Sequence, residues 1–200
     1  MFEFIDKDPK IKNSQSLVMS YSRTVQITFG NYPYIADILN MITEVKNNID
    51  ENESYATNVK GGKTGWETFV NHPFTTKFFT YCINQHQTSN PDLFQYFGDK
   101  KTIVNAWGNE IKKGDYVTSH IHSTWHGILY LTEGSPLILP ELNIKIHPKP
   151  GDYYFFPPMI YHHVDPSDSD KNRYNVIYNI DNNTNWEKEK VVWEKKTKNS

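Results

Sequence analysis

The chain has 200 residues, 37% of them hydrophobic and 22% charged, which suits one globular domain with a sizeable core. Its 21 Lys and Arg against 23 Asp and Glu leave a net charge of −2, so wrapping of nucleic acid and coating of an anionic membrane are disfavoured; no apolar run approaches the roughly 20 residues of a membrane span. The single cysteine, Cys82, excludes an internal disulfide and any thiol-rich zinc site, so a metal has to sit on His, Asp or Glu.

The first twelve residues read as a lead-in, and Ser20 to Phe29 as a strand in which Val25, Ile27 and Phe29 alternate with polar neighbours. Gly30 to Pro33 is predicted to turn the chain. Ile35, Ile38, Leu39, Ile42, Val45 and Ile49 recur at intervals of three and four, the signature of an amphipathic helix over 35–49. Residues 50–65 read as a loop, and Thr75 to His86 as a second helix closed by Asn90 and Pro91. From Thr102 onward, short segments rich in Val, Ile, Tyr and Phe alternate with Gly and Pro: 102–112, 115–122, 127–132, 137–139, 143–147, 152–156, 160–164 and 173–180. Many short, closely spaced strands predict a sandwich or barrel. The expected organisation is one domain over 1–200: a helical part about 30–95, a β core about 102–180, and a polar extension 181–200 packed by Trp186, Val191, Val192 and Trp193. The N-terminus has no basic region followed by an apolar one, so a cytoplasmic location is expected. A homodimer is left open.

Six of the eight histidines lie within 120–163, five of them grouped as His120, His122, His126, His162 and His163. Side chains two apart on a strand share a face, so His120 and His122 are expected side by side, about 6.6 Å apart. A third ligand can come from a later strand. Ile160, His162 and Val164 share one face there, while Tyr161, His163 and Asp165 share the other, so the apolar side selects His162 over His163. Three protein ligands on one octahedral face leave three positions for substrate, cosubstrate or dioxygen, as in non-haem Fe(II) oxygenases. His126 either replaces His122 as a ligand, supports the site or contacts substrate. His72, His86 and His147 lack ligand-like spacing and are read as surface or packing residues, and Cys82 as a buried small apolar residue.

Only Arg23 and Arg173 are arginines, so Arg173 stands out as a planar two-pronged donor in a lysine-rich chain. On a strand over 173–180, Arg173, Asn175, Ile177 and Asn179 share one face. A guanidinium there can take a carboxylate through parallel hydrogen bonds; the alternative is a surface arginine paired with Asp168 or Asp170. Trp107, Tyr116 and Tyr130 are candidate pocket residues, against the alternative that they pack the barrel core.

The run Trp107-Gly108-Asn109, Gly114-Asp115-Tyr116, His120-x-His122, Gly127-Ile128-Leu129-Tyr130, Pro150-Gly151, Phe156-Pro157, His162-x-Val164 and Asn172-Arg173-Tyr174-Asn175 resembles the 2-oxoglutarate and Fe(II)-dependent oxygenases common in marine bacteria and their phages. The Gly62-x-x-Gly65-Trp66 stretch extends the likeness to about residues 25–180. The resemblance implies a double-stranded β-helix (a cupin-like jelly roll, mainly β with flanking N-terminal helices) that hydroxylates an unknown small-molecule or protein substrate with release of succinate and CO2. It implies His120, His122 and His162 as iron ligands, Arg173 as the residue for the distal carboxylate of 2-oxoglutarate, Asn175 and Tyr116 beside it, O2 as the second cosubstrate, and a host-cytoplasmic setting if phage-encoded. The wider superfamily usually has Asp or Glu where His122 stands, and often Ser where Asn175 stands. Cupins are the competing resemblance. Five residues separate Gly114 from His120-x-His122, and five separate Gly151 from Pro157 ahead of His162, but Met159 replaces their second-motif Gly and His126 their first-motif Glu. That reading gives a metalloenzyme that does not use 2-oxoglutarate, and a third is a non-catalytic binding module.

Overall fold

The computed structural model describes residues 2–4, 25–94 and 101–182. Their strands form two six-stranded antiparallel sheets. The first runs β1 (Phe2–Phe4), β9 (Ile144–Ile146), β8 (Leu137–Leu139), β11 (His162–Val164), β6 (Tyr116–His120) and β3 (Val59–Lys60). The second runs β2 (Thr28–Asn31), β10 (Asp152–Phe156), β7 (Trp125–Tyr130), β12 (Arg173–Asn182), β5 (Lys101–Ile111) and β4 (Gly62–Lys63). The two sheets enclose a core that includes Trp107, Ile128, Tyr130, Leu137, Tyr154, Val164 and Ile177. This is the double-stranded β-helix that the resemblance implies. Each of the eight segments predicted beyond residue 102 coincides with one of β5 to β12.

The helices α1 (Ile35–Asn47), α2 (Pro73–His86) and α3 (Pro91–Phe94) cover the outer face of the second sheet. Period-two alternation gives that sheet two apolar faces: Leu129, Tyr153, Phe155, Val176 and Tyr178 point to the helices. Phe78 of α2 is fully buried among Tyr32, Phe74, Phe79, Tyr153, Phe155 and Tyr178. Glycine at 108 brings α1 close: a Cβ there would lie 2.6 Å from Val45 Cγ2. None of the described helices is long and apolar enough to cross a membrane.

Several expectations are corrected. The α1 stripe is narrower than its periodicity, with Ile38, Met41 and Val45 buried but Ile35 and Leu39 exposed. Pairing of β2 begins at Thr28 and continues through Asn31, so Gly30 belongs to the strand and not to a turn. Residues 50–65 contain β3 and β4, each only two residues long. Residues 2–4, within the lead-in, form an edge strand paired with β9. His72 caps α2, its Nδ1 accepting from the Phe74 N–H at 3.2 Å. Cys82 is buried as expected, and burial raises its thiol pKa. Residues 20–24 and the packing expected of Trp186, Val191, Val192 and Trp193 lie outside the described residues.

Candidate metal centre

β6 and β11 are neighbours, and His120 and His162 are direct partners in their register, with ring centroids 4.3 Å apart. β6 ends at His120, so His122 lies beyond the strand rather than on it; its carbonyl accepts from the Met159 N–H at 2.9 Å. Its ring centroid is 5.0 Å from that of His120 and 5.3 Å from that of His162. One ring nitrogen from each of the three lies within 4.8 Å of the others.

The hydrogen bonds settle two tautomers. His120 Nδ1 lies 2.8 Å from the Thr118 carbonyl oxygen, and His162 Nδ1 lies 3.0 Å from that of Ile160. A carbonyl only accepts, so both Nδ1 atoms carry the proton and both Nε2 atoms keep a lone pair, as metal-bound imidazoles do. His122 Nε2 is buried without a partner. Burial, reinforced by the neighbouring imidazoles, lowers the pKa of His122 to about 3 and that of His162 to about 4, and burial also lowers that of His120. The neutral rings and orphaned nitrogen therefore fit a divalent metal.

The three rings open into a narrow cavity of about 40 Å³. Its polar wall comes from Trp107 and Asn109 on β5, His126 and Tyr130 on β7, and Arg173 and Asn175 on β12; Val117, Ile128, Leu137, Val164 and Ile177 supply the apolar wall. His126 is fully buried, and its ring stacks on His122 with centroids 3.9 Å apart and planes 12° from parallel. Trp107 Nε1 and Asn109 Oδ1 are buried without partners, and Asn109 Nδ2 donates to Asn175 Oδ1 at 3.1 Å. Asn109 escaped the sequence reading as a site residue, although its place two residues after Trp107 was the available signal.

Arg173 is 3% exposed. Its Nη1 donates to the Ser135 carbonyl at 2.6 Å, its guanidinium carbon lies 5.7 Å from the Tyr130 ring centroid, and its Nε has no partner. No described carboxylate pairs with it. Asp170 pairs with Lys113 at 2.7 Å, so the surface-arginine alternative is overturned. A buried guanidinium with an orphaned N–H and no counter-charge fits an anionic ligand bearing a carboxylate.

Tyr116 is the site residue that the structure places elsewhere. It is 38% exposed and outside the cavity wall. His162 pairs with His120 but Val164 pairs with Val117, so the register slips by one residue between them. That irregularity reverses the alternation: Val117 and His120 both reach the cavity, and Tyr116 points out. Of the other histidines, His86 Nε2 meets Tyr153 Oη at 2.7 Å, His163 Nε2 lies 3.5 Å from Asp165, and His147 is exposed.

No family model and no curated protein matches the chain in sequence. Solved structures do match in shape. The viral collagen prolyl hydroxylase of Paramecium bursaria Chlorella virus-1, as its 2-oxoglutarate complex, aligns with a TM-score of 0.58 at 15% identity over 77% of this chain and 94% of that one. A prolyl-4-hydroxylase of Pseudomonas putida aligns at 0.57 and 12% identity over 78% and 93%. HygX of Streptomyces hygroscopicus, with nickel and 2-oxoglutarate bound, aligns at 0.58 and 7% identity over 78% and 83%. The chain therefore has the double-stranded β-helix fold of the 2-oxoglutarate and Fe(II)-dependent oxygenases.

Proposed function

We propose that the protein is an Fe(II)- and 2-oxoglutarate-dependent oxygenase that hydroxylates its substrate. His120, His122 and His162 would hold the iron, and Arg173 the distal carboxylate of 2-oxoglutarate. The observation that carries this reading is the buried Arg173 guanidinium, without a carboxylate partner, on the wall of the cavity into which the three imidazoles open. An uncompensated buried cation costs several kcal/mol, and a site that retains one has a use for an anion.

When bound, the iron supplies dioxygen activation coupled to decarboxylation of 2-oxoglutarate to succinate and CO2. The chain supplies binding, orientation and exclusion of water. Thr118 and Ile160 fix the tautomers that turn two Nε2 lone pairs to the metal. Arg173 anchors the cosubstrate at one end. Asn109 and Asn175, bonded to each other on adjacent strands, line the cavity with Arg173. Tyr130, its pKa pushed up to about 12 by burial, remains a neutral phenol beside the guanidinium. The apolar wall from Val117 to Ile177 keeps the cavity dry, which strengthens every charge interaction inside it.

Anaerobic titration of the metal-free protein with Fe(II) and then 2-oxoglutarate tests this. A weak visible charge-transfer band is expected only when both are present. Arg173→Ala should keep the iron and lose 2-oxoglutarate affinity by roughly a hundredfold, as removal of a buried charged partner does. Iron binding without the band would sink the cosubstrate assignment and favour the cupin-like reading. Absence of iron binding would sink the metal site itself.

A further inference from the structure

We infer that His126 is a positioning residue that sets the ring of His122, acting through its stacked face and held in place by Asn179. The inference rests on the proposed metal site. Two of its imidazoles are fixed by hydrogen bonds from Nδ1 to a carbonyl, but His122 has no such bond: its Nε2 is unpartnered, and it lies past the end of β6. The Met159 N–H pins its backbone, which leaves the side-chain torsions free. His120, His162 and Trp107 also lie against the ring, but His126, 4% exposed, is the nearest at 3.9 Å and the most nearly parallel.

His126 is itself oriented. It pairs in register with Asn179 of β12, which pairs in register with Asn105 of β5. Asn179 Nδ2 donates to Asn105 Oδ1 at 3.4 Å, which turns Asn179 Oδ1 to His126 Nδ1 at 3.3 Å, so that nitrogen carries the proton. A polar row across three strands thus ends in an imidazole of fixed plane, and that plane fixes the plane of His122. No nitrogen of His126 joins the group within 4.8 Å, so it supports the ligands rather than adding a fourth. Partners that orient a metal-bound histidine typically contribute 10- to 100-fold in metal affinity.

Titration of the metal-free protein with Co(II), read by its visible d–d bands, tests this without turnover. His126→Ala is expected to weaken Co(II) binding about tenfold or more and to change the band pattern, because His122 loses its plane. His126→Phe, which keeps an aromatic face but loses the Asn179 hydrogen bond, should recover part of the affinity and move the spectrum back toward wild type. Thermal unfolding of the metal-free variants identifies any that have lost the fold, and the Phe variant leaves no void. Wild-type affinity in a folded His126→Ala overturns the inference. So does a His126→Phe variant as weak as Ala, because an aromatic face packed on His122 would then contribute nothing to its plane. Failure of the wild-type protein to bind Co(II) would instead overturn the metal site on which the inference rests.

Discussion

The two faces of the second sheet are built from the same strands and do opposite work. On the outer face, Leu129, Tyr153, Phe155, Val176 and Tyr178 meet an aromatic layer from α2. On the inner face, the alternate residues of the same strands carry four unsatisfied or uncharacteristically buried groups: Trp107 Nε1, Asn109 Oδ1, Arg173 and His126. Close packing stabilises, whereas a buried polar group without a partner costs free energy. One side of the sheet therefore supplies the stability that the other spends on a site.

The largest effect is expected where the outer face is broken. Phe78→Ala would leave a void among six aromatic rings and should cost about 3–5 kcal/mol of unfolding free energy in denaturant titrations. The inner face is untouched by that change, so whatever fraction remains folded should bind metal with unaltered affinity. A parallel loss of intrinsic metal affinity would mean that the two faces are coupled.

Protonation probes the inner face without a mutation. Unfolded histidines titrate near pH 6.5, while in the metal-free fold His162 stays neutral to about pH 4 and His122 to about pH 3, both held down mainly by burial. Between these values the unfolded state binds more protons, so stability rises with pH and is lost as pH falls below 6.5. At pH 5 the loss should be roughly 2 kcal/mol for each ring. Denaturation of the metal-free protein at pH 7.5 and pH 5 measures it, and a flat profile would contradict the burial of the cluster.

Arg173→Met should separate the two kinds of work most clearly. Replacing an uncompensated buried cation with an apolar side chain of similar length is expected to raise the stability of the ligand-free protein by about 1–4 kcal/mol while 2-oxoglutarate binding is lost. A variant that is both less stable and unable to bind would show that the Ser135 hydrogen bond contributes more than the buried charge costs.

The sequence made the strands legible because a half-buried strand has period two and its ends are marked by Gly and Pro, so the ends of β5 to β12 could be read to within two residues. It made Arg173 and His162 legible for the same reason, since each lies on a strand whose alternation holds. Tyr116 fails where alternation fails, at the register slip between Val117 and His120, which depends on how β6 meets β11 and leaves no local signal. β3 and β4 are too short for any periodicity. The α1 stripe was overdrawn at Ile35 and Leu39 because periodicity marks every apolar position, whereas the width of the buried stripe is set by the sheet beneath it. The stack of His126 on His122 joins a strand to the segment past another strand's end, a contact that spacing does not encode.

Met159 gives the smallest effect and tests whether the cost of the inner face extends past its strands. Its φ of 65° lies in the left-handed region, an unfavourable setting for a side chain, and it sits at the mouth of the loop whose N–H holds the His122 carbonyl. Met159→Gly relieves about 1 kcal/mol of strain but adds about 0.4–1 kcal/mol of unfolded-chain freedom, so the net gain should be no more than about 0.5 kcal/mol. The peptide N–H is unchanged by the substitution, so Co(II) affinity should be too. Unchanged affinity would show that Met159 acts on the His122 backbone through its N–H and not through its side chain. A drop in affinity would mean that the exposed thioether chain itself shields the metal centre, and that the strain at Met159 is tolerated for the sake of the site rather than for the turn.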